Sequence, residues 1–143
     1  MILKVTTRHA LCALTYIVEK GMDDIVTAET IARERDIPIS YLRRILSKMA
    51  RHNLIKSFHG GSRMGYQMVR DPEDISLYEV MDLFEGWSGK ACLLKPRQTT
   101  PKCNAHHYWE PIKDKMFSVF KKVSIALLCS GDIEANRETI RNL

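Results

Sequence analysis

Nothing in this 143-residue sequence approaches the roughly 18 consecutive apolar residues that a transmembrane helix needs, so no membrane span is expected. Its opening residues, MILKVTTRHA, lack the long apolar run and small-residue cleavage site of a secretory signal. Cysteine is scarce, with four residues, and thiols in a chain without an export signal are expected to be reduced rather than paired in disulfides. These absences together predict a cytoplasmic protein. Internal repeats and low-complexity tracts are missing. So are a nucleophile–base pair, a glycine-rich phosphate loop and a paired-carboxylate motif, which leaves an enzyme without support. At this length one domain with a core of ordinary size is expected.

Acidic residues are missing where they would matter most. Residues 1–70 carry 12 Lys/Arg against 6 Asp/Glu, whereas residues 71–143 carry 10 against 11. Within 37–70 there is no carboxylate and there are seven cations: Arg43, Arg44, Lys48, Arg51, Lys56, Arg63 and Arg70. A merely solvated face usually mixes both signs, so this block points to a polyanionic partner.

Helical signals come first. Thr7 is expected to cap a helix running to about Lys20, with Leu11, Leu14, Ile17 and Val18 inward and Gly21 as its stop. Thr27 can cap a short second helix, AETIARER, with Ile31 and Ala32 toward the core. Pro38 keeps Ile37 out of the helical region, so DIPIS is a turn. Ser40 then caps YLRRILSKMARH, whose Leu42, Ile45, Leu46 and Met49 share one face of a 3.6-residue period. Arg43, Arg44, Ser47, Lys48 and Arg51 lie off that stripe. Two helices joined by a short turn, the second basic on its outside, match a helix-turn-helix.

Two extended runs follow, LIKSF and YQMV, joined by HGGSRMG, a hairpin tip that carries His59 and Arg63. A helix-turn-helix with a small hairpin is a winged helix. Arg43 and Arg44 are expected at base edges, and Lys48, Arg51 and Arg63 at phosphates. Pro72 marks the exit from the wing, and Ser76 with Glu79 suggests a capping box for LYEVMDLFE, with Leu77, Val80, Met81 and Phe84 inward. Gly86 ends that helix.

Beyond it, Trp109, Ile112, Met116, Val119, Val123 and Ala126 repeat at 3-4 spacing, a heptad seam on a helix of about five turns. Phe117 and Phe120 broaden the stripe beyond what one small domain is expected to cover, which favours a symmetric homodimer. Cys129 reads as core packing, His9 and His52 as surface or cap residues, and the final GDIEANRETIRNL as polar and prone to fray. The expected fold is mostly α with a small β-hairpin wing: a winged helix-turn-helix over 1–86, a cofactor or sensor loop over 87–107, and a long dimerisation helix with its tail over 108–143.

The stretches TTRHALCALTYIV, ISYLRRILSKMARHNLIKS, the wing GG…GY and ISLYEVMDLFEG, with the long final helix, resemble the winged-helix regulators that include the iron–sulfur cluster regulator IscR, the nitric-oxide sensor NsrR and the cysteine regulator CymR. The resemblance covers nearly the whole chain. It implies a homodimer on palindromic double-stranded DNA operators, recognition helix in the major groove and wing in the minor groove. It places Ser40, Tyr41, Arg43 and Arg44 where such proteins meet DNA. His59 and Met64 depart from the Arg and Gly common in that wing.

In the loop, cluster-binding relatives carry three cysteines, and IscR-like members have a His three residues after the last. Cys92 matches the first cysteine, and Cys103 with His106 matches the final C-x-x-H; the middle cysteine is absent and KPRQTT stands in its place. Some relatives recruit a ligand from the partner's first helix, and Cys12 lies on that helix here. An iron–sulfur cluster on Cys92, Cys103, His106 and Cys12 is the favoured reading, 2Fe–2S over 4Fe–4S because mixed Cys/His ligation suits the smaller cluster. His107 is the alternative imidazole. Zinc could use the same donors, although closely spaced C-x-x-C pairs are lacking. A loop with no metal, sensing through its thiols, is also open. From another class, a metal-binding protein or an enzyme using the Cys/His loop is the remaining reading.

Overall fold

A computed structural model describes the chain over residues 3–87 and 104–142. Its elements run α1 (Val5–Lys20), α2 (Ala28–Arg35), α3 (Ile39–Arg51), β1 (Ile55–Phe58), β2 (Gly65–Met68), a 3-10 turn at Pro72–Asp74, α4 (Leu77–Glu85), α5 (Asn104–Lys122), α6 (Ile125–Ser130) and α7 (Ile133–Arg141). The fold is thus mostly helical with one small antiparallel hairpin, as the periodicities predict.

The α3 stripe is buried as expected, whereas on α1 Ala10 and Ala13 are buried and the expected Leu11 and Val18 are half-buried, as is Leu77 on α4. Leu42, Ile45, Leu46 and Met49 of α3 meet Ala10, Ala13, Leu14 and Ile17 of α1, Ile31 of α2 and Val80 and Phe84 of α4. Leu11, Val18 and Ala32 close its margin. Thr27 caps α2 as read, accepting from the Thr30 N–H, and Gly21 and Gly86 follow the ends of α1 and α4.

Two cap assignments fail. Helix α1 starts at Val5, and Thr7 is buried in its first turn, where its hydroxyl donates to Glu85 at 2.5 Å. Glu85 also accepts the Lys4 backbone N–H at 2.8 Å, so a carboxylate from the far end of α4 satisfies the first turn of α1. The position suits the positive end of that helix. Ser40 is likewise inside α3, which begins at Ile39 directly after Pro38. Half of the expected capping box forms: Ser76 accepts from the Glu79 N–H, but the Glu79 carboxylate takes two bonds from Arg70 instead.

The hairpin pairs Ile55 with Met68 and Phe58 with Gly65. Val26 adds a bridge to Tyr66 through two bonds of 2.8 and 2.9 Å, which anchors the wing to the segment before α2. Gly65 is needed there. Its φ is +146°, and a Cβ would lie 2.6 Å from the Val26 carbonyl oxygen.

The heptad seam does not run unbroken to Ala126. Helix α5 stops at Lys122 because the next residues turn extended: Leu77 N–H donates to Val123 O and Ile125 N–H to Ile75 O. Ser124 then caps α6. Val123 and Ile125 are buried within the chain, and α6 packs on α1. Phe117 and Phe120 are half-buried. Trp87 stacks on Phe117 with centroids 5.0 Å apart and on Phe120 at 6.1 Å, and Tyr78 meets Phe117 edge-on at 5.0 Å. The tail expected to fray is helical: α7 is capped by Asp132 and touches α5 and α6.

Candidate nucleic-acid interface

Helix α3 turns about 100° per residue, so its buried stripe fixes what faces outward. Directly opposite Leu42, Ile45, Leu46 and Met49 lie Ser40, Arg44, Ser47 and Arg51, at 4-3-4 spacing and all exposed. This is an open ridge about three turns long, with two guanidinium groups and two hydroxyls. Across the chain, the tip of the wing exposes His59, Arg63 and Met64. His59 is bonded to the Ser57 hydroxyl at 2.8 Å. Arg44, Arg51 and Arg63 have no ion-pair partner among the described residues.

The other candidates sit on the flanks of the ridge. Arg43 leans toward α2, where it donates to Glu29 at 2.5 Å. The Glu29 carboxyl is held below the usual carboxylate range, first by a hydrogen bond from its own backbone N–H and then by the Arg43 guanidinium. Lys48 leans the other way and is half-buried, its ammonium 5.0 Å from the Phe84 ring centroid. Tyr41 is also half-buried, its hydroxyl bonded to Thr6 and its ring edge-on to His9. Arg70, counted in the basic block, is paired: its two bonds to Glu79, at 2.6 and 3.3 Å, raise its pKa further and set a carboxylate against its charge.

Sequence reasoning put Ser47 off the apolar stripe without naming it as a site residue, and it missed two acids. Glu29 puts a carboxylate beside a block that is acid-free only along the chain. Glu85 is 78 positions from Thr7 and gave no local signal.

Cys92, Cys103 and the side chain of His106 lie outside the described residues. Helix α5 begins at Asn104, so positions 106 and 107 belong to its first turn, and His107 is exposed there. Cys12 is exposed on the face of α1 opposite its core, along with Arg8 and Glu19. Cys129 is partly buried against the core as expected, and burial pushes its thiol pKa up. Among the described residues no three His, Cys, Asp or Glu side chains converge as a metal site. No helix among them is long and apolar enough to cross a membrane.

Known proteins share both the sequence pattern and this architecture. An Aquifex aeolicus protein named as an HTH-type transcriptional regulator is 29% identical over 130 residues, 87% of this chain and 89% of its own. The HTH-type transcriptional regulator IscR of Escherichia coli is 23% identical over 135 residues, 93% of this chain and 80% of its own. Among solved structures, the global cysteine regulator CymR of B. subtilis superimposes with TM-score 0.76 at 19% identity, covering 91% of this chain and 97% of its own. IscR of T. potens gives 0.74 at 18% identity, covering 94% and 90%. The sequence profile of the Rrf2 family, described as iron-dependent transcriptional regulators, matches residues 3–131, and the chain belongs to that family.

Proposed function

We propose that this transcriptional regulator reads a palindromic operator as a homodimer, through the outer ridge of α3 and the tip of the wing, and that an iron–sulfur cluster held near residues 87–107 sets its affinity. The observation that carries the DNA reading is the ridge itself: Ser40, Arg44, Ser47 and Arg51 exposed on a helix whose opposite face is wholly buried. Arg44 suits a base edge, where two parallel bonds to guanine are worth about 1–3 kcal/mol. Arg51 and Arg63 suit phosphates. Arg43 can join them only by leaving Glu29. Lys48 and Tyr41 contribute by fixing α3 against α4 and α1.

Dimerisation is supported by the edge of α5 that the described residues leave open. Tyr108 is 80% exposed and Ile112 57%, while on α7 Ile133 and Ile140, seven residues apart, are 64% and 56% exposed. A second copy would cover these side chains and set two α3 ridges about one or two helical turns of DNA apart.

The donors fit a cluster by their chemistry: two thiols and an imidazole at positions 92, 103 and 106, with the exposed Cys12 thiol on α1 free to meet a second chain. Cys92, Cys103 and His106 would hold it, with Cys12 of the partner subunit as fourth ligand and 2Fe–2S the favoured form. A bound cluster supplies one-electron chemistry and a group that oxidants or nitric oxide can remove. Zinc would use the same donors.

A second reading, a cluster-free regulator sensing through its thiols, draws on the exposed Cys12 and on the likeness to CymR, one solved structure of which is an oxidized form from Staphylococcus aureus. Anaerobic reconstitution separates the two. Iron and sulfide should bind the wild type with visible absorption and be lost in Cys92→Ala and Cys103→Ala. Full iron and sulfide in both variants would end the cluster reading. Full content in Cys12→Ala alone would remove only that ligand.

A further inference from the structure

We propose that Glu29 is a specificity-determining residue for DNA: it holds the Arg43 guanidinium at the mouth of the cleft between α2, α3 and the wing, so that Arg43 turns to the duplex only where a base edge offers it two acceptors. The inference rests on the DNA-binding reading above.

The cleft is lined by Thr27, Glu29, Arg43, His59 and Tyr66 among others, so it opens where the recognition helix and wing converge. Glu29 stands in the first turn of α2, and its carboxylate meets Arg43 at 2.5 Å with both side chains more than half exposed. An ion pair so exposed is weak, holding its partners by a factor of roughly five at most. Two parallel bonds to guanine discriminate by roughly ten- to a hundredfold, so the right base wins Arg43 from Glu29. A phosphate offers a simpler attraction, available on every sequence, and Glu29 repels it at close range. The carboxylate therefore weakens generic backbone binding more than it weakens the correct site, which is how a repulsive group raises specificity. Arg44, Arg51 and Arg63 have no such partner among the described residues, so the restraint falls on one of the four guanidinium groups near the duplex.

The test uses the full chain and two labelled duplexes, one selected by the wild type from a random pool and one scrambled, titrated by fluorescence anisotropy at two salt concentrations. Glu29→Gln should tighten the scrambled duplex by up to about fivefold and the selected one less than about twofold, with a salt slope on the scrambled duplex steeper by about one unit. In an Arg43→Ala background the same substitution should alter the ratio of the two affinities by less than about twofold, because the cation it restrains is gone. A pair that only ties α2 to α3 would move thermal stability and leave that ratio unchanged. Equal tightening of both duplexes, or an undiminished change of ratio without Arg43, would overturn the proposal alone. A wild type with no affinity for any duplex would overturn the DNA reading and this proposal with it.

Discussion

The two ends of the chain solve the problem of apolar surface differently. From α1 to α4 each helix gives its stripe to the others, α6 returns to α1, and Leu14, Ile17, Leu42, Leu46 and Val80 end fully buried within one chain. Helices α5 and α7 do only half of this. The aromatic edge of α5 is covered by Trp87 and Tyr78, yet Ile112 on its other edge and Ile140 on α7 stay more than half exposed. The first region buries its stripes within one chain; the second keeps apolar side chains exposed, the surface on which the proposed dimer rests. Substitutions of the buried residues of the first should therefore unfold the protein, and those of the exposed apolar residues of the second should change who binds whom.

Leu46→Ala should have the largest effect on stability, about 2–5 kcal/mol, because it opens a cavity at a fully buried position of the core. Calorimetry or chemical denaturation would read it. Glu85→Ala comes next. It strands the buried Thr7 hydroxyl and the Lys4 N–H, at a cost of about 1–3 kcal/mol, and fraying confined to the start of α1 should appear in hydrogen exchange. The smallest effect on the isolated fold belongs to Ile112→Asp with Ile140→Asp, about 0.5 kcal/mol or less, as expected of exposed positions. Sedimentation should nonetheless show that pair converting a dimer to a folded monomer. A wild type that sediments as a monomer at micromolar concentration would dissolve the contrast between the two regions. Val123→Asp is unsuited to this purpose, because Val123 is buried in its own chain and the change would unfold it.

What the sequence made legible follows from how local each cause is. The α3 stripe, the Thr27 cap and the glycine-rich wing tip are written within a few residues, and each appears where periodicity and turn chemistry put it. The misplaced caps have distant causes. Thr7 looks like a cap until Glu85 arrives from α4 to use its hydroxyl, and Ser40 loses the role because Pro38 already sets the start of α3. The seam beyond Lys122 fails for the same reason: 3-4 spacing records which residues are apolar, but the extended pairing of 123–125 with residues 75–77 breaks the helix. For the candidate site, helical phase was enough to find Arg44 and Arg51. It could not show that Arg43 is tied to Glu29, Arg70 to Glu79, or Lys48 to the face of Phe84. Charge counted along a chain does not record which acids fold back beside it.

If the α3 ridge reads DNA, Arg44→Ala with Arg51→Ala should bind a selected duplex more weakly than the wild type across a salt series. Both side chains are exposed and unpaired among the described residues, so thermal stability should stay within about 0.5 kcal/mol of wild type. Loss of the base contact should lower affinity for the selected duplex by about 1–3 kcal/mol, and loss of a phosphate contact should flatten the salt slope by about one unit. A folded variant that binds both selected and scrambled duplexes as the wild type does, with the same salt slope, would show that the α3 ridge does not read DNA.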